Sequence, residues 1–320
     1  MEIIAGILAA LAAFVSGFSV GYHDLVAKNI PRALDPQPAQ VAQATVLFGG
    51  DMMFDRSVRT AMKWKGDDFV FSCIASFLQE QTLVVANLEG PITAHASLSA
   101  TSTPGDLHNM TFTFPLSTAD LLYRHNIRMV NLGNNHIENF STGGVHSTVA
   151  MLTSEQVDYF GDPIAHRVAT TEIGEIPLAF INYNEFAGNP AQNASTTIAQ
   201  IRAARATGYL PVVYTHWGIE YETISPQYLR DLAYRFVDAG AEIVIGSHPH
   251  VVADHDLYQG KYIYYSLGNF VFDQYFSPEV SRGLLLQVVF TPAGVGDIRE
   301  IPIVLNRDRT TCIDTSADER

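Results

Sequence analysis

Ala241-Glu-Ile-Val-Ile-Gly-Ser-His-Pro-His250 is a β-branched run that stops at a glycine and delivers two imidazoles side by side. Ile243 to Ile245 reads as a buried strand. Pro249, between His248 and His250, fixes φ and removes a backbone donor, so the turn is stiff and both rings can be held towards one point. Two histidines at i, i+2 just past a strand form either half of a metal site or a packed pair. The ends of the other strands decide between these.

Working outward, Ala44 to Phe48 reads as a strand closed by Gly49-Gly50-Asp51. Leu83 to Ala86 leads to Glu89, Met129 to Leu132 leads to Asn134-Asn135-His136, and Pro211 to Tyr214 leads to His216. Leu178 to Ile181 is a further strand, and Tyr262 to Leu267 runs into Gly268-Asn269 and Asp273. Helical spacing falls between them, over 69–79, 118–125, 141–152, 196–206 and 226–239. The last has Pro at its start and Gly240 beyond its end, as helix chemistry prefers. Strands at 284–290 and 300–305, with 294–297 as their turn, close the domain. Strand and helix alternate as in an α/β fold, and the strand-rich end argues for a mixed sheet.

In such folds ligands gather outside the carboxyl ends of the strands. Five strand ends supply Asp51, Glu89, Asn135 with His136, His216, and His248 with His250. Two carboxylates, an amide oxygen and several imidazoles suit manganese, iron or zinc; calcium prefers an all-oxygen shell. One carboxylate can bridge two ions about 4 Å apart, an arrangement that polarises a phosphoryl oxygen. Arg56, a short turn beyond Asp51, can grip a phosphate or carboxylate bidentately, or form a surface ion pair. Ser, Thr and Gly dominate the loop from Ala94 to Asn109, which reads as a solvated excursion of lid length.

Gly50-Asp51, Asn87-Leu88-Glu89-Gly90, Asn134-Asn135-His136, His216-Trp217-Gly218, His248-Pro249-His250 and Ser266-Leu267-Gly268-Asn269-Phe270 together resemble the poly-γ-glutamate capsule-synthesis proteins of the CapA type, themselves similar to calcineurin-like metallophosphoesterases. The likeness runs from about Thr45 to Asp273. It implies a four-layer metallophosphoesterase-like sandwich in which two central mixed sheets lie between helices. It also implies that Asp51 and His250 bind a first metal, Glu89 bridges, and Asn135, His216 and His248 bind a second. His136 would stabilise or protonate a leaving oxygen, with Arg56 as a further catalytic candidate. This sequence departs from the metallophosphoesterase pattern at Asp51-Met52-Met53, where an Asp-x-His motif would place an imidazole at Met53. The first position therefore lacks a ligand, and one or two ions remain open.

Two functions follow from this reading. One is a membrane-tethered, metal-dependent phosphoesterase-like enzyme that helps to make or export an anionic capsular polymer and acts on a small phosphoester or the polymer itself. The other is a non-catalytic accessory subunit of the polymer synthase and export complex. Lys and Arg number 19 against 33 Asp and Glu, a net charge of −14. A surface this acidic excludes a nucleic-acid partner.

Residues 3–20 form an uncharged apolar run that as a helix would reach roughly 27 Å, so 1–22 reads as a membrane anchor or a cleaved signal segment. Residues 23–43 form a linker with Pro31, Pro36 and Pro38, the domain occupies 44–308, and 309–320 is a polar, frayed tail. Lys28 and Arg32 alone would place the domain in the cytoplasm. Two charges decide little, and the expected location is membrane-anchored on the extracytoplasmic face. With only Cys73 and Cys312 present, and no zinc-finger spacing, a disulfide is not the expected state.

Overall fold

The computed structural model describes residues 42–316. The anchor and most of the linker expected from the sequence lie outside the described residues. No helix among the described residues is long and apolar enough to cross a membrane.

The first sheet is built on β1 (Ala44–Met52), β2 (Leu83–Leu88), β3 (Ile127–Asn131) and β4 (Asp158–Phe160), all parallel. The second contains β5 (Ala169–Ile173), β6 (Ile176–Asn184), β7 (Leu210–His216), β8 (Ile243–Ser247), β9 (His255–Tyr258) and β10 (Lys261–Tyr264) in the order β5-β6-β7-β8-β10-β9. The chain then returns to the first sheet. There β11 (Asn269–Val271) pairs parallel with β1, and β12 (Arg282–Thr291), β13 (Gly294–Leu305) and β14 (Thr311–Ile313) extend the other side of β1 antiparallel. Both sheets are mixed, as expected.

Alternation along the strands creates the layers. Val46 and Phe48 of β1 meet Phe180, Val212, Tyr214 and Ile245 between the sheets. Leu47 faces the opposite way, onto α1 (Arg56–Lys65), α2 (Ala75–Gln79), α3 (Thr118–Arg124) and α4 (Ser141–Ser154) through Val58, Leu78, Leu122 and Val145. On the far side, Ile181, Val213 and Val244 pack beneath α5 (Pro190–Ala206) and α6 (Gln227–Ala239). Period-2 side-chain alternation on buried strands thus yields helices, sheet, sheet, helices. This is the four-layer α/β sandwich expected from the resemblance.

Several local expectations change. The segment 69–79 is a 3₁₀ turn (Asp67–Phe71) followed by the short α2. α5 begins earlier than its apolar spacing suggested, because Asn189 caps it by accepting from the amides of Ala191 and Gln192, with Pro190 in its first turn. The closing hairpin turns at 292–293, since Thr291 already pairs with Gly294.

The bridge not expected between Cys73 and Cys312 is present, with Cα atoms 5.1 Å apart. Cys312 lies in β14, which pairs with β13, so residues 311–313 belong to the sheet and the domain extends past 308. A sequence separation of 239 hid this neighbourhood. Closing so long a loop restricts the unfolded chain strongly. Cys73→Ser with Cys312→Ser should therefore lower stability by about 2–5 kcal/mol in urea unfolding.

At the opposite end from the strand carboxyl termini, the buried Glu242 ties β8 to the last hairpin. It accepts from Lys261 Nζ at 2.5 Å, from Arg205, and from the backbone amide of Val295 at 3.0 Å. Burial opposes its charge, but Lys261, Arg205 and the Val295 amide outweigh it and hold the carboxyl below its usual range. A carboxyl depressed on folding contributes stability above its unfolded pKa, about 4.3, and loses it as pH falls through the folded value. Glu242→Gln should cost about 1–3 kcal/mol at pH 7, and urea titrations should show the gap closing on acidification below about pH 4.

Candidate metal centre

Strand register assembles the site. Across the first sheet Asn269, Asp51, Asn87 and Asn131 occupy successive partner positions, so four polar residues form one row at the carboxyl edge. In the second sheet Asn184, His216 and Ser247 form the matching row. Close backbone approach keeps the edge compact. A Cβ on Gly50 would lie 1.8 Å from the Gly268 carbonyl, and one on Gly246 would lie 1.9 Å from that of Tyr265. His248 and His250 both have positive φ, 98° and 59°, a conformation that strains non-glycine residues by about 1–3 kcal/mol each. The stiff turn expected around Pro249 is thus also a strained one.

Ligand atoms of Asp51, Glu89 and His250 lie within 4.8 Å of one another, and all three residues are buried. His136 Nε2 is 3.9 Å from Glu89 Oε1. His216 contacts Asn135 Oδ1 through Nε2 at 2.9 Å, lies 4.0 Å from Asp51 Oδ1 through Nδ1, and its ring centroid is 4.9 Å from that of His248. Every metal-ligand candidate named from the sequence, together with His136, therefore falls in one cluster.

Partners on Nδ1 determine what each ring offers. Asn269 donates through Nδ2 to three acceptors, so its Oδ1 must accept from His250 Nδ1 at 3.0 Å. Ser247 gives its hydroxyl proton to Thr215 O, so Oγ accepts from His216 Nδ1 at 2.9 Å. Asn139 Oδ1 accepts from the Phe112 amide and, at 3.2 Å, from His136 Nδ1. With Nδ1 as the donor, each ring turns Nε2 towards other acceptors: Glu89 for His250 and His136, Asn135 for His216. Both Glu89 oxygens and His248 Nδ1 are buried without a hydrogen-bond partner. Acceptors facing acceptors in a buried space are unfavourable unless a proton or a metal cation lies among them. On this ground the residues fit a divalent metal.

Electrostatics follow the same pattern. Burial opposes the Asp51 charge, yet His250, His216 and the Asn87 amide hold its carboxyl at about 2. Glu89 is pushed well above its usual range, by burial first and the Asp51 charge next. Burial depresses His216 strongly, His248 to about 3 and His136 to about 4.

Arg56 lies behind this cluster. It pairs with Asp273 at 2.5 Å, and its guanidinium faces Phe112 and Phe272 at 5.1 and 5.3 Å. Those rings contact His136 and His250 in turn. The loop 94–109 carries two 3₁₀ turns and is tied down by Ser97 Oγ on Asp55 Oδ1 at 2.6 Å. With Arg56, Tyr221, Asp273 and Phe276 it borders a groove of about 750 Å³. Met53 lies in the apolar core, and its sulfur accepts the Asp55 amide. Asn134 braces the loop by bonding Asn87, Leu88 and the amides of His136 and Ile137. Sequence reading gave no role to Asn87, Asn131, Ser247 or Asn139. Asparagines closing apolar strands, a residue type depleted in strands, were the available signal for the first two.

The layered α/β sandwich gathers polar groups at its strand ends, among them a buried Asp-Glu-His group able to hold a metal. Residues 45–274 match the family model described as bacterial capsule synthesis protein PGA_cap, and the chain belongs to that family. It is 30% identical over 249 residues to the capsule biosynthesis protein CapA of Bacillus anthracis, covering 72% of this chain and 60% of that one. Identity to the PGA biosynthesis protein CapA of Bacillus subtilis (strain 168) is 26%, covering 80% of this chain and 70% of the relative. A probable polyglutamine synthesis accessory protein of Mycobacterium tuberculosis is 27% identical over 44% of each chain. The chain thus spans less than two thirds of the B. anthracis relative.

Calorimetric titration with Mn²⁺ should detect binding that Asp51→Ala and His250→Ala each weaken at least tenfold. At 100 times the dissociation constant, the ion should add about 2.7 kcal/mol of stability, and chelator dialysis should remove it.

Proposed function

We propose that this chain is a metal-dependent phosphoesterase-like protein, tethered at a membrane, that works in the synthesis or export of an anionic capsular polymer of the poly-γ-glutamate type. Family membership supports the capsular role. The observation that carries the chemistry is the convergence of bare Nε2 atoms and unpartnered Glu89 oxygens in one buried space. Asp51, Glu89 and His250 would hold a first ion, and Asn135, His216 and His248 a second, as manganese, iron or zinc. Such a cation supplies Lewis-acid polarisation of a phosphoryl oxygen.

The chain's own residues would do the rest. Neutral His136 presents Nε2 as an acceptor, so it would take a proton from the attacking water and return it from the same atom to the leaving oxygen, which departs as an alcohol or hydroxyl. Arg56, held by Asp273 and flanked by Phe112 and Phe272, would place positive charge beside the groove. In a chain of net charge −14 that local charge helps to admit an anionic substrate. The Cys73–Cys312 bridge supports an extracytoplasmic domain, because disulfides persist in oxidising compartments.

Met53 favours a second reading. Its sulfur is spent on the Asp55 amide, and no imidazole stands at that position. The site would then be a metal-stabilised pocket in an accessory subunit that engages synthase or export partners.

Assays of phosphomonoesters and phosphodiesters with Mn²⁺ separate the two. Under the first reading His136→Ala lowers kcat about 10²–10⁴-fold while Mn²⁺ remains bound. Metal uptake without turnover, together with full restoration of polymer in cells by His136→Ala, would establish the accessory role.

A further inference from the structure

Three asparagines from three strands join the two sheets beneath the metal centre. Asn182 of β6 donates through Nδ2 to Asn131 Oδ1 at 2.9 Å, Asn131 of β3 donates to Asn87 Oδ1 at 2.9 Å, and Asn87 of β2 donates to Asp51 Oδ1 at 2.8 Å. Asp51 and Asn87 and Asn131 are fully buried.

The direction of the chain is forced from both ends. An ionised Asp51 can only accept, so Asn87 must present its NH₂, which turns its oxygen to Asn131, and that residue's oxygen to Asn182. At the other end the Asn182 NH₂ also faces the carbonyls of Gly133 and Tyr214, at 3.1 and 3.3 Å. Every amide donates towards Asp51, an arrangement in which each hydrogen bond polarises the next. Space for it is reserved. A Cβ on Gly133 would come within 2.1 Å of Asn182 Oδ1, and one on Gly161 within 2.5 Å of Asn182 Cβ.

We infer that Asn182, Asn131 and Asn87 form a positioning relay that fixes the Asp51 carboxylate for cation binding. The inference rests on the metal-centre reading above. By occupying Oδ1, the relay sets the plane of the carboxylate. Oδ2, which accepts the His248 amide at 3.0 Å and lies 3.4 Å from His250 Nδ1, is then aimed into the cluster. These are outer residues of the centre, and the outer partners of metal ligands typically govern affinity by ten- to a hundredfold. Asn182 also lines a pocket of about 240 Å³, which gives a replaced side chain room.

The test compares the full chain with Asn182→Leu, with Asn182→Ala in its place should leucine not fold. Asn193→Ala serves as the control, because Asn193 lines the same pocket but bonds only the carbonyls of Asn184 and Ala187. Calorimetry with Mn²⁺ should show roughly tenfold weaker binding in the Asn182 variant and an unchanged constant in the control. In the metal-free protein the Asn87 side-chain amide resonances should move in the Asn182 variant alone. A wild-type Mn²⁺ constant in the Asn182 variant overturns the inference. If the wild-type chain takes up no Mn²⁺, the metal-centre reading falls separately, and the Asn87 resonances decide the relay: unmoved signals overturn it, moved signals support it.

Discussion

The register of the parallel strands is the constraint on which the rest of this structure depends. Because β1, β2 and β3 end in step and β11 begins beside them, Asn269, Asp51, Asn87 and Asn131 arrive at the same height, and a slip of one residue would turn each to the wrong face. The second sheet does the same with Asn184, His216 and Ser247. The apolar layer between the sheets, with Phe48 against Phe180 and Phe160 against Tyr214, locks the two edges together. Tyr214 adds a direct tie by donating its hydroxyl to the Gly49 carbonyl across the gap.

Such a site is costly to bury. Asp51, Glu89, His216 and His250 are almost fully withdrawn from water, and the backbone at His248 and His250 is strained. The surrounding fold offsets this through second contacts for nearly every group: Ser247, Asn269 and Asn139 orient imidazoles, and Asn87 and the His248 amide hold Asp51. Glu89 and His248 Nδ1 are left without partners. The Glu89 oxygens and His248 Nδ1 are thus unsatisfied acceptors that a cation could use, while the imidazoles of His136, His216 and His250 have their orienting contacts.

Glycine and cysteine show how tertiary structure reuses ordinary residues. Gly50 and Gly246 admit the loop 265–268 so closely that any side chain would collide with its carbonyls. Cys312, read as part of a loose tail, is instead held in the last strand and bonded to Cys73. Neither neighbourhood is local in sequence, so neither leaves a pattern in hydropathy or spacing.

The amino-acid sequence by itself determined the α/β class, the strands leading to Asp51, Glu89, His136, His216 and His250, and the residue types gathered at their ends. Those features are encoded locally, by β-branched runs that stop at glycine and by polar residues placed just beyond them. Helix starts at Asn189 and the short strands β4, β5 and β9 were less legible, since capping and edge pairing override a weak apolar period. Tertiary structure alone decided the Nδ1 partners of the histidines, the disulfide, the place of Arg56 behind Phe112 and Phe272, and the asparagine chain from Asn182 to Asp51. Each joins residues far apart in the chain, and a hydrogen bond depends on atoms meeting within about 3 Å, which only the folded register of two sheets can arrange.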